Sequence, residues 1–338
     1  MASGRSSFPA LRSRRLKNSS FRISAFNNRG NQEMIIDTHV HCTRPNFVRS
    51  RFLANNSRMA ASLYNRVHKT NIKPEDYVNM VREKSDPDGS KLLAEMNDAG
   101  IDKSVIFQVD WAYGVTGEPR MRNQDQNKVL ADYAKEHPGR FIPLCAIDPR
   151  RPDVIEQATV AIEEWGMRGF KLMPSAGFSA SDRLCYPLYE KCADWKVPIV
   201  FHSGGLEFNW ELSSPNSIAS AAEDFPEVNM VMAHAGLESW EQCRLACAAL
   251  PNCFMDLSIR QFDYMINPKK FYEWLRDLID WSGAHKIFFA SDRPLPTYYL
   301  PTKDWVKVFD DPQTDIEFTR EERDLILGKA AAAVFDCK

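Results

Sequence analysis

From Met34 onward, short apolar or β-branched runs recur, each followed by an amphipathic helical stretch that ends in Gly or Pro shortly before the next run. Alternation of this kind restricts the chain to parallel βα units, because consecutive parallel strands are joined by helices that return across the sheet. The candidate strands cover 34–39, 104–110, 141–147, 169–173, 199–202, 229–234, 254–257 and 287–291. Helices over 91–99, 125–137 and 153–165 stop at Gly100, at Pro138 with Gly139, and at Gly166. Eight strands with eight returning helices predict a closed (β/α)8 TIM barrel. An open doubly wound sheet is the competing arrangement, and the position of the polar residues decides between them.

The connection from His41 to Ser104 is far longer than a βα unit needs. Residues 49–82 are rich in Arg, Asn, Met and aromatic side chains at helical spacing. A helical insertion spanning about 43–90 is therefore expected after strand 1, as a cap over the barrel mouth that is either a structural flap or part of a substrate wall. A C-terminal helix closes the chain. Residues 1–33 carry Arg5, Arg12, Arg14, Arg15, Lys17, Arg22 and Arg29 with several serines and no acid before Glu33. They read as a disordered basic extension, either an organelle transit peptide or a stretch ahead of a start at Met34.

With 338 residues, 44% of them hydrophobic, the chain can bury a large core. A formal charge of −2 gives no basic face for nucleic acid, and no apolar run approaches the roughly 18 residues of a membrane span. A small-molecule substrate is the expected partner. The eight cysteines form no C-x-x-C pair, so free thiols and a cytoplasmic setting are expected, or organelle import if residues 1–33 are a transit peptide.

The chemistry sits at the strand ends. In Ile35-Ile-Asp-Thr-His-Val-His41 the two histidines are two residues apart on a strand and point to the same side. Strand five closes on His202, strand six on His234, and strand eight on Ser291-Asp292. In a barrel all of these face the C-terminal mouth, where TIM-barrel sites lie. Four of seven histidines at strand ends are hard to attribute to packing. Imidazoles with one carboxylate suit a divalent metal, Zn²⁺ first and Mn²⁺, Fe²⁺ or Co²⁺ as alternatives, and the absence of thiolate favours catalysis over a closed structural site. Alternation turns Cys42 away from the ligand side. Arg44, Arg49, Arg260 and Arg293 are candidates to bind an acidic substrate, and Trp111, Tyr113 and Glu207 follow strand ends and could line the pocket.

The pattern resembles the amidohydrolase superfamily, in the amidohydrolase-related branch that contains aminocarboxymuconate semialdehyde decarboxylase and γ-resorcylate decarboxylase. The residues that carry it are Asp37-Thr-His-Val-His41, Gly169-Phe-Lys-Leu-Met-Pro174, Phe201-His202, Ala233-His234-Ala-Gly236, Ser291-Asp-Arg-Pro-Leu-Pro296 and Ile326-Leu-Gly-Lys-Ala-Ala331. Met173 and Ala330 depart from it, standing where many relatives have histidine and asparagine. The resemblance implies that His39, His41, His202 and Asp292 hold one metal, with His234 beside the bound water as acid or base or touching the metal itself. It further implies a salt-bridging Lys171 in place of the carboxylated lysine of two-metal branches, and a possible homodimer. Two reactions fit this set, and a hydrolase is the first expectation, with a decarboxylase as the alternative. One is hydrolysis of a carboxylated, lactone-like or amide substrate, with His234 taking a proton from metal-activated water and Asp292 passing one to the leaving group. The other is non-oxidative decarboxylation of an aromatic or muconate-type acid, with His234 or Asp292 protonating the carbon. A third reading is a barrel that binds a ligand without turnover.

Overall fold

The computed structural model describes residues 34–42, 44, 47, 50–83, 85–114, 117–205 and 209–335. The basic stretch 1–33, Arg49 and Glu207 lie outside them. The strands, in chain order, are β1 (Ile36–His41), β2 (Lys103–Phe107), β3 (Phe141–Pro143), β4 (Cys145–Ala146), β5 (Phe170–Leu172), β6 (Ile199–Phe201), β7 (Met230–Met232), β8 (Cys253–Asp256) and β9 (Ile287–Phe288). Ladders join β1 to β2 to β3, and β4 through β9 in order, all parallel. β3 and β4 are one stave interrupted at Leu144, whose N–H donates back to the Ile106 carbonyl at 2.9 Å. The ring closes between the first and last staves. Thr38 N–H donates to Phe289 O at 3.0 Å, Asp292 N–H to His39 O at 2.9 Å, and His41 N–H to Arg293 O at 2.9 Å. Eight staves closed in this way form the expected (β/α)8 barrel; β1 and β8 keep the expected length with shifted bounds, and the others are shorter than their apolar runs suggest.

Strand alternation sorts the core into two layers. Ile36, Val105, Phe107, Ile142, Leu144, Val200, Val231 and Phe288 fill the barrel interior together with Ala331, Val334 and Phe335 of the C-terminal helix. The neighbouring positions Ile106, Phe170, Leu172, Ile199, Phe201, Met230, Met255 and Phe289 face outward under the helical ring. The closing helical segment over Leu325–Phe335 packs tightly on the start of β1. A Cβ at Gly328 would lie 2.0 Å from the Met34 carbonyl oxygen, so only glycine lets the helix come this close.

The long connection after β1 contains helices α1 (Ser50–His68) and α2 (Pro74–Glu83), followed by α3 (Ser90–Ala99). Ala61, Tyr77 and Val81 share an apolar cluster with Tyr299, Leu295 and Phe262, residues that follow β8 and β9. The Tyr299 hydroxyl donates to Ala60 O at 2.7 Å and that of Tyr298 to Met80 O at 2.8 Å. The helical pair therefore rests on loops at the carboxyl ends of the last two staves. Among the described residues, no helix is long and apolar enough to cross a membrane.

Candidate metal centre

β1 carries a β-bulge between Asp37 and Val40. Strict alternation from the inward Ile36 would send Val40 inward, yet Val40 packs in the outer layer. The extra residue inverts the parity of the strand's last third and turns His39 and His41 into the barrel. Asp37 secures the bulge. Its Oδ1 accepts from the backbone N–H of His39 at 3.3 Å and from that of Ser291 at 2.9 Å, tying the histidine strand to the segment that presents Asp292. Burial raises the Asp37 carboxyl to about 7, against the two N–H bonds that oppose the shift.

Three donors converge at the mouth. Asp292 Oδ1 lies 3.2 Å from His39 Nε2 and 3.3 Å from His41 Nε2, with the Asp292 backbone in the left-handed region at φ 52°. The other nitrogen of each ring is already spoken for. His39 Nδ1 lies 2.9 Å from Asp256 Oδ2 and His41 Nδ1 lies 3.1 Å from the Phe107 carbonyl. Both partners are acceptors, so each Nδ1 bears the proton and each Nε2 presents a lone pair to the centre.

The same bookkeeping fixes the tautomers of the second histidine pair. The Ser258 hydroxyl donates to Asp256 Oδ1 and therefore accepts from His234 Nδ1–H, 2.7 Å away. His234 Nε2 is then an acceptor and takes the Nδ1–H of His202 at 3.1 Å. That leaves His202 Nε2 as a bare lone pair, buried and without a hydrogen-bond partner among the described residues. A neutral imidazole nitrogen in this state fits a metal ligand, since burial of an unsatisfied acceptor otherwise costs about 1–3 kcal/mol. The donors that lie within 4.8 Å of one another are His39, His41 and Asp292, two nitrogens and one carboxylate suited to a divalent ion of borderline softness; His202 does not fall within that group. A second group of possible donors, His39, His234 and Asp256, is accounted for by the hydrogen bonds just described.

Electrostatics agree with neutral rings. Burial pushes His39 and His234 well below the usual imidazole range and takes His202 down to about 3, and the Lys171 charge acts in the same direction on all three. Burial raises the Asp292 carboxyl, opposed by the neighbouring His41 ring and then by the Lys171 charge. Lys171 is buried on β5, its ammonium 5.0 Å from the centre of the Phe107 ring.

His234 follows β7 on an unusual backbone. Residues 234–237 run at φ 61°, 45°, 70° and 47°, four consecutive left-handed positions of which only Gly236 is glycine. The loop after β6 interlocks with it: a Cβ on Gly204, at φ 83°, would lie 2.6 Å from Gly236 O.

The arginines expected at the substrate are taken up by the protein itself. Arg44 bonds the Tyr133 hydroxyl at 3.0 Å and the Pro87 carbonyl. Arg260 donates to the carbonyls of His234, Ala235 and Leu237 and pairs with Asp263. Arg293, 1% exposed, pairs with Glu95 at 3.0 Å and Asp86 at 3.5 Å, both in the segment leading from the insertion into α3. Trp111 forms a small apolar cluster with Met173 and Ala176, while Tyr113 is exposed under the Arg150 guanidinium. Cys42 is buried away from the donors, its thiol raised by burial to about 12. Two site residues went unnoticed in the sequence: Asp256 at the end of β8 and Ser258 just beyond it. The signal was available, since Phe254-Met-Asp-Leu-Ser258 is an apolar strand broken by a carboxylate at its carboxyl end.

A family model described as amidohydrolase matches residues 36–337. The chain belongs to this enzyme family. Solved structures share its fold at low identity. An uncharacterised TIM-barrel protein from Bordetella bronchiseptica is 19% identical with a TM-score of 0.67, over 90% of this chain and 98% of its own. A 5-carboxyvanillate decarboxylase from Novosphingobium aromaticivorans, complexed with manganese and a nitrobenzoic acid, is 15% identical with a TM-score of 0.60, over 90% and 96%. A 4-oxalomesaconate hydratase from Rhodopseudomonas palustris is 18% identical with a TM-score of 0.59, over the same shares. No curated protein matches the chain significantly.

Proposed function

We propose that the chain is a divalent-metal-dependent, non-oxidative decarboxylase of a small aromatic or muconate-type carboxylic acid. His39, His41, His202 and Asp292 would hold one Zn²⁺ or Mn²⁺, and His234 would carry the proton. The observation that carries the metal reading is the convergence of His39, His41 and Asp292; His202, whose buried Nε2 has no hydrogen-bond partner among the described residues, is proposed as the fourth ligand. Decarboxylation is preferred to hydrolysis because the solved structures that share this fold include a 2,6-dihydroxybenzoate decarboxylase and 5-carboxyvanillate decarboxylases.

A bound divalent ion would supply Lewis-acid polarisation of the substrate carboxylate and its neighbouring oxygen. His234 Nε2 is an acceptor from His202 in the resting arrangement, so it would first take up a proton, from an acidic hydroxyl of the substrate or from solvent. The bond from carbon to carboxylate then breaks, its electron pair stays on the ring carbon, the proton carried by His234 Nε2 or by Asp292 joins that carbon, and CO₂ leaves. An imidazole held neutral by its surroundings is a strong acid once protonated, which suits delivery to carbon. Trp111, Met173 and Ala176 would give the organic part of the substrate an apolar wall. The test is metal analysis of the purified protein, followed by 2,6-dihydroxybenzoate, 5-carboxyvanillate and a lactone panel assayed for CO₂ release and ring opening with Zn²⁺ and with Mn²⁺. One ion per chain with CO₂ released is the expected result. Ring opening without CO₂ would replace the proposal with the hydrolase, and a chain without affinity for either ion would remove both.

A further inference from the structure

The loop that presents His234 is not a conformation its residues would choose. His234, Ala235 and Leu237 are L-residues in the left-handed region, where the Cβ crowds the backbone, and such stretches persist only when their surroundings hold them. A single buried side chain does so on the carbonyl face. The Arg260 Nε donates to His234 O at 3.0 Å, and one terminal nitrogen donates to Ala235 O at 3.2 Å and Leu237 O at 2.9 Å. The guanidinium is itself fixed, with its other terminal nitrogen 2.8 Å from Asp263 Oδ2 and its plane 4.5 Å from the centre of the Trp274 ring. On the amide face, His234 N–H is held by Asp256 Oδ1 at 2.9 Å.

We propose that Arg260 is a positioning residue for His234, fixing the left-handed loop through three of its carbonyls so that the imidazole stays between Ser258 and His202. The proposal rests on the reading of His234 as proton carrier. Only arginine offers planar, divergent donors for three carbonyls at once; a lysine ammonium has the charge without the fork. Arg260 therefore acts on turnover through His234 and leaves the metal donors alone, because none of its partners belongs to the His39–His41–Asp292 set.

The experiment uses Arg260→Lys, Arg260→Ala and His234→Asn in the metal-loaded protein. Metal stoichiometry, kcat and KM are measured on whichever acid releases CO₂, together with the imidazole ¹⁵N resonances of histidine-labelled protein. The His234 signals are assigned by their loss in His234→Asn. We expect Arg260→Lys to keep its metal and its KM, to lose about 10²-fold in kcat as a misplaced catalytic group does, and to shift the His234 resonances while those of His39 and His41 stay in place. Added guanidinium ion should restore part of the lost turnover in Arg260→Ala. Unchanged kcat and unchanged His234 resonances in Arg260→Lys would overturn the proposal, as would metal loss with all site histidines shifting together, which marks a structural role. Full activity in His234→Asn would instead remove the proton-carrier reading, while the resonances still decide whether Arg260 positions the ring.

Discussion

The two halves of the centre are built by different means. The half that offers His39, His41 and Asp292 is made from the first and last staves, joined by regular backbone hydrogen bonds and corrected by one bulge. The half that offers His202 and His234 lies on loops after β6 and β7, where four left-handed residues are held by a remote arginine. The contrast teaches how the two histidine pairs are held: His39 and His41 lie on strand β1, whereas His202 and His234 lie just past the ends of β6 and β7, the His234 loop with external supports.

Four substitutions break or sharpen that contrast. His39→Ala removes a donor from the strand half and should abolish metal binding, read as loss of the ion after dialysis, and with it all turnover. His234→Asn should retain the ion and lower kcat by about 10²–10⁴-fold, the range for removal of a general acid or base; equal metal loss in both variants would erase the distinction between the halves. Asp256→Asn touches both, through His39 Nδ1 and through His234 N–H. It should weaken metal affinity by about 10–100-fold in a chelator competition, as loss of a carboxylate that orients a ligand imidazole does. Ser258→Ala removes the acceptor for His234 Nδ1 together with the hydroxyl's bond to Asp256 Oδ1 and its 3.2 Å contact with His39 Nδ1, and should cost about 0.5–1.5 kcal/mol of transition-state stabilisation, with metal affinity unchanged. A larger effect on metal than on rate would mean that its contact with His39 matters more.

What could be read from the sequence follows the same line. His39 and His41 share a side because alternation operates within two residues, and the bulge that turns that side inward leaves no mark except Asp37, whose carboxylate caps it. The eight staves were visible because buried parallel strands are continuous apolar runs, while the break at Leu144 was not, since the run 141–147 stays apolar across it. His202 and His234 stand out by their position at strand ends, but their tautomers depend on Ser258 and Asp256, brought close only by folding. The surroundings of Arg260 and Arg293 are likewise set by folding. An arginine near a strand end looks available to substrate, yet Arg260 and Arg293 are buried and bonded to backbone carbonyls and to carboxylates from distant segments.

The ion pairs of Arg293 bear on how such a barrel can be re-engineered. Its neighbour in the chain is Asp292, and its counter-ions Asp86 and Glu95 belong to the segment that returns from the helical insertion. A chimera that exchanges the insertion for that of another barrel would also exchange the anions that neutralise a buried cation next to a metal donor. Cap grafts on this scaffold therefore have a natural seam: they must end before Asp86, or carry acidic residues equivalent to Asp86 and Glu95 with them.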